Sequence, residues 1–165
     1  MRYVSLAAVV GFVFGAILLC HGVARADEAT SAPCNYWVDK NPDAAGVNFI
    51  TLCQNELQGH ANDWRATSDP VEKGRNQLLI GLDYFAIAYY CEYYSVDMHL
   101  NVDARCALGS EEPLAVSSIN ASREAFNNAM SNSNNDPEIV KKANTDLELA
   151  GELAKQYNLP FDLKV

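Results

Sequence analysis

Apolar side chains recur at steps of three and four along most of this chain, the period of helices that bury one face. From Asp43, the positions Val47, Ile50, Cys53, Leu57, Ala61 and Trp64 predict a first helix over residues 43–65. A second runs from 70 to about 96. Its start is strongly marked, because Asp69-Pro70-Val71-Glu72 places a capping carboxylate, then proline at the first helical position and glutamate at the third. Leu78, Leu82, Phe85, Tyr89 and Val96 form one apolar face of it, and Leu79, Tyr84, Ile87 and Cys91 spread apolar character over much of the rest. A helix apolar on so many sides belongs at the centre of a fold. Gly81, Ala88 and Ser95 share its remaining stripe, either to let a neighbouring backbone approach or simply to face solvent.

Val116, Ile119, Phe126 and Met130, with Arg123 as the polar member, mark a third helix after Pro113. The polar run Asn132-Ser133-Asn134-Asn135 follows as a linker. Asp136-Pro137-Glu138 then opens a fourth helix through Ile139, Val140, Ala143, Leu147, Ala150, Leu153, Ala154 and Tyr157, ending at Asn158 before Pro160. No segment alternates as a strand does, and no repeat period spans the chain. The expected fold is one all-α domain over residues 43–165, a bundle of about four main helices with short loops.

Ahead of the helices, Met1-Arg2, an apolar run over residues 3–19 and the small residues of Ala24-Arg25-Ala26 read as a secretory signal over residues 1–26, cleaved before Asp27 rather than kept as an anchor. Cys20 follows Leu19, where a lipid-attachment cysteine would follow a small residue. Residues 27–42, with Ala32-Pro33 and Asn41-Pro42, read as an irregular N-terminal arm whose Tyr36-Trp37 pair packs on the body.

The leader changes the charge. All 165 residues carry 12 basic and 21 acidic side chains, a net −9; without 26 residues that include Arg2 and Arg25, 139 remain with 10 basic and 21 acidic, a net −11. Such acidity keeps a protein soluble and monomeric, argues against nucleic acid, and favours a neutral or basic partner. The apolar stretch at residues 78–90 is too short for a bilayer and contains Asp83, so no stable membrane insertion is expected after cleavage.

Four cysteines remain after the leader: Cys34, Cys53, Cys91 and Cys106. An even count behind an export signal calls for two disulfides, each adding on the order of 3 to 4 kcal/mol. In a straight hairpin of the first two helices, Cys53 stands about 16 Å and Cys91 about 31 Å from the turn at about 1.5 Å per residue, which disfavours their direct pairing. Of the two remaining schemes, Cys34–Cys91 with Cys53–Cys106 is preferred over Cys34–Cys53 with Cys91–Cys106, since it ties both helices to their flanks.

Catalytic and cofactor signatures are missing. There is no C-x-x-C, H-E-x-x-H, glycine-rich phosphate loop or G-x-S-x-G, and the mature chain offers only His60 and His99. No metal site and no cofactor are expected. His60 reads as a boundary residue of the first helix. The Asp97-Met98-His99-Leu100-Asn101-Val102-Asp103 stretch departs from a calcium loop at the glycine and at the closing glutamate. Asn120-Ala121-Ser122 is a glycosylation sequon in a eukaryotic host.

One constellation stands out on the second helix, where Asn76, Asp83, Tyr90 and Tyr94 share a face. Asp83 lies among apolar neighbours, so it is either satisfied by tyrosine hydroxyls or a backbone group, or belongs to a recognition surface with Tyr84, Tyr89, Tyr90, Tyr93 and Tyr94. Asp83, Tyr90 and Tyr94 are the candidate binding residues. The expected function is that of an exported, secreted or periplasmic helical protein that binds another protein, as an inhibitor, immunity-type or accessory protein. A bundle carrying a small hydrophobic ligand is the alternative, and a carboxylate-dependent hydrolase the second.

Overall fold

The structure is a computed structural model that describes Cys34, residues 49–97, Cys106 and residues 113–161. The leader, the arm around Cys34, residues 43–48 and, beyond Asp97, the stretch compared with a calcium loop lie outside the described residues. Four α-helices make up nearly all of the rest: α1 (Phe49–Ala66), α2 (Pro70–Tyr89), α3 (Leu114–Asn132) and α4 (Pro137–Gln156). The all-α reading holds, with no strand among the described residues. No helix there is long and apolar enough to cross a membrane.

Both Asp-Pro starts act as the spacing predicts. Asp69 Oδ1 accepts from the backbone N–H of Val71 at 2.7 Å and of Glu72 at 3.2 Å. Asp136 Oδ1 accepts from Glu138 and Ile139, both at 3.1 Å. Each cap satisfies two of the orphan donors of a first turn, and the proline behind it has no N–H to orphan. At the other end of α4, Asn158 takes φ 54° and lets the Leu159 N–H reach back to the Ala154 carbonyl at 2.8 Å. That is the left-handed stop usually given to glycine.

The second helix differs from expectation in its last turns. Residues Tyr90–Asp97 continue α2 as a π-helix, π1, wider than the α-helix that precedes it. Together α2 and π1 span the single helix expected over 70–96.

α2 is central, as its all-round apolar character predicts. Its largest interface is with α3 and its next with α1; α4 packs mainly on α3 and touches α2 as well. Leu82, Asp83 and the unbroken run from Phe85 to Glu92 are buried. Facing them, Ile50 of α1, Ile119 and Phe126 of α3 and Leu153 of α4 are fully enclosed. Of the small residues of α2, Gly81 makes room for a side chain rather than a backbone, since a Cβ there would overlap the Phe126 ring, and Ala88 is wholly buried. Within α3, Asn120 Nδ2 donates to the Val116 carbonyl at 3.0 Å, so the sequon is helical and its amide is engaged.

The disulfides form as two bridges, but the preferred pairing is corrected. Cys34 joins Cys53 and Cys91 joins Cys106, each with Cα atoms 5.0 Å apart. Each cysteine bonds to the nearer one in sequence, closing 19- and 15-residue separations instead of much longer ones. Short loops close at lower entropic cost. Cys34 also lies against α1, since its N–H donates to Glu56 Oε2 at 2.8 Å.

Candidate functional site

Two features of α1 and α2 carry chemistry, and they share no residue. The first is a cluster of ionisable groups. Glu56 and His60 sit one turn apart on α1, so their side chains fall on one face. Across the seam, α2 presents Asp83, 3% exposed. His60 Nε2 lies 3.7 Å from Asp83 Oδ2, with a quarter of the imidazole in solvent.

Among the described residues, no N–H or hydroxyl donor reaches Asp83 Oδ2, which is completely buried. Its neighbours are another carboxylate and an imidazole just beyond hydrogen-bond range. The electrostatic outcome is a shared proton. Burial first, then the charge of Glu56 and a hydrogen bond with it, push the Asp83 carboxyl from its ordinary 3.8 up to about 9. Glu56 is also raised by burial, and is held back by the Cys34 N–H and by the Asp83 hydroxyl that donates to it. At neutral pH Asp83 is therefore the acid and Glu56 the carboxylate it donates to.

The ligand atoms of Glu56 and Asp83 and the sulfur of Cys34 all lie within 4.8 Å of one another. That sulfur is bonded to Cys53, so it is no thiolate.

The second feature is a groove of about 550 Å³ where α1 and α3 flank α2. Ile80, Tyr84 and Ile87 of α2 form its floor. Leu57 and Ala61 of α1 and Leu114 of α3 extend the apolar lining, and Gln54, Gln58, Arg65 and Ser117 stand around it. Ser118, fully buried in its wall, has an Oγ with no hydrogen-bond partner.

The described residues that share a face with Asp83 differ in exposure. Tyr90 is buried with its ring 4.7 Å from that of Phe49, and Asn76 is half-buried. Tyr89 is buried too and stacks on Tyr93 at 5.2 Å. The Tyr94 side chain lies outside the described residues. Of the tyrosines singled out, Tyr84 lines the groove. Asp83 meets Glu56 and His60 of α1. Glu56 escaped the sequence reading; the signal that could have found it is its four-residue spacing from His60 at the edge of the apolar stripe.

Comparison with protein-family models, curated proteins and solved structures gives no match.

Proposed function

We propose that the protein works by binding, and that it holds a segment of another protein in the α1–α2–α3 groove, as an exported inhibitor, immunity-type or accessory protein would. The observation that carries this reading is the groove itself: an open trough with an apolar floor of Ile80, Tyr84 and Ile87 and a margin of side-chain amides and hydroxyls. Apolar floors take side chains, while glutamine amides and serine hydroxyls can satisfy an incoming main chain. The net charge of −9 favours a neutral or basic segment and speeds its approach at low salt. Two disulfides suit work in an oxidising compartment.

A photo-crosslinking residue at Gln58 or Ser117 is expected to capture a partner that one at the exposed Glu152 of α4 does not. Once purified, that partner should bind Ala61→Arg at least tenfold more weakly, with the melting temperature of the variant unchanged. Equal crosslinking from α4 would overturn the assignment. So would a stoichiometric apolar small molecule that co-purifies and is displaced by Ala61→Arg, which is the result a carrier would give.

A further inference from the structure

The groove between α1, α2 and α3 carries one charge. Arg65 is the only ionised side chain in its lining, and it stands at the end of α1 next to the turn into α2. Its Nη1 donates to Asn62 Oδ1 at 3.2 Å, and among the described residues no carboxylate pairs with it. Arg65 is exposed, and its guanidinium keeps further N–H donors for a ligand. Building on the protein-binding reading of the groove, we propose that it takes the C-terminal end of its partner, with the terminal carboxylate on Arg65 and apolar side chains on the floor.

The dimensions suit a short chain end. Gln54 and Arg65 mark the two ends of the α1 wall, and at about 1.5 Å per residue they stand about 17 Å apart, the reach of about five extended residues. Ile80, Tyr84 and Ile87 line one face of α2 over about 10 Å. Side chains two apart on an extended chain point the same way at a spacing of about 7 Å, so the last residue and the one two before it both reach that floor. Ile80 is the floor residue nearest the turn, on the Arg65 side, and so receives the last side chain. Gln58 donates an amide N–H to Asn62 and Ser117 donates its hydroxyl to the Leu114 carbonyl, so each keeps an oxygen that can accept a main-chain N–H.

Charge selects a chain terminus over an acidic side chain. With 21 acidic and 12 basic residues, the protein repels an acidic segment. A terminal carboxylate is the one negative group in which a neutral or basic chain also ends, and its two oxygens match the fork of donors on a guanidinium. Attraction at Arg65 and repulsion over the rest of the surface together favour an apolar end on a neutral or basic partner.

The test pans the oxidised protein against random heptapeptide libraries made in two forms, one ending in a free carboxylate and one in a carboxamide. Binders are expected from the carboxylate form alone, with apolar residues at the last and third-from-last positions. Arg65→Gln should weaken the best of them by about tenfold or more, whereas Arg75→Gln, which alters an arginine paired with Glu72 outside the groove, should leave it unchanged. Ala61→Tyr fills the groove without adding charge and should also abolish binding, with the melting temperature showing that each variant folds. Equal recovery from both forms, lost in Ala61→Tyr but not in Arg65→Gln, would overturn the carboxylate assignment and leave the groove as the binding site. Peptides that bind Ala61→Tyr as well as wild type would overturn both readings, and an absence of binders from the carboxylate form would overturn the proposal.

Discussion

Replacing Asp83 by asparagine should stabilise this protein at neutral pH, although it removes a buried charged residue type from the core. The reason is proton linkage. In the unfolded chain Asp83 ionises near its ordinary 3.8, whereas in the fold it keeps its proton until about pH 9. Between those two values the folded state binds one proton more than the unfolded state, so stability falls as pH rises. It is greatest below 3.8 and levels off above about 9. Each unit is worth about 1.4 kcal/mol, so the climb from 3.8 to pH 7 costs about 4 kcal/mol. That is a sizeable part of the 5–15 kcal/mol typical of a domain, roughly a quarter to most of it.

Asparagine has the shape of the protonated acid and its amide can donate to Glu56, but it takes up no proton on folding. Urea unfolding in EDTA with both disulfides intact, repeated from pH 4 to 8, reads the difference. The wild type should lose stability steadily across that range. Asp83→Asn should show a much flatter profile, reaching an advantage of up to about 4 kcal/mol at pH 7 and almost none at pH 4. The residual slope belongs to Glu56, whose carboxyl is raised in the same direction. A variant that is less stable than wild type at every pH, or one that keeps the wild-type slope, would refute the reasoning.

Three other outcomes are expected. Proteolysis of the unreduced protein, followed by mass spectrometry, should find Cys34 linked to Cys53 and Cys91 to Cys106, and no Cys34–Cys91 peptide. Gly81→Ala forces a methyl group against the Phe126 ring and should destabilise by about 1–3 kcal/mol in urea, with part of the loss recovered when Phe126→Leu is added. Lys142 Nζ bonds both oxygens of the buried Asp146 at 3.0 Å, and burial already raises that carboxyl; Lys142→Ala should therefore cost about 1–3 kcal/mol at pH 7 and less at pH 4, where Asp146 can stay protonated.

Much of the fold was legible because its determinants are local. Asp69-Pro70 and Asp136-Pro137 cap and start α2 and α4 through atoms two and three residues away, so the helix starts follow from the chain itself. The all-round apolar character of α2 reports its burial for the same reason. The π-helical turns at Tyr90–Asp97 were hidden, since a change from four- to five-residue hydrogen bonding leaves no mark in the pattern of residue types.

The candidate site was legible only in part. Asp83 was visible as an acid among apolar neighbours, but its partners Glu56 and His60 lie on another helix, and a pattern along one helix cannot report what faces it. The tyrosines were visible as a cluster, yet Tyr89 and Tyr90 turn inward onto Tyr93 and Phe49 while Tyr84 faces the groove. Residue type alone does not decide that split, because tyrosine suits either side of a boundary.

What the sequence by itself determined is therefore the set of helices, their caps, the acidity and the presence of two bridges, all set by neighbours a few residues apart or by composition. Tertiary structure decided which cysteines pair, which face of α2 meets Phe126, where the groove opens and that Asp83 must share its environment with Glu56 and His60. Those outcomes depend on the rotation and distance of one helix against another, and short-range preferences do not specify either.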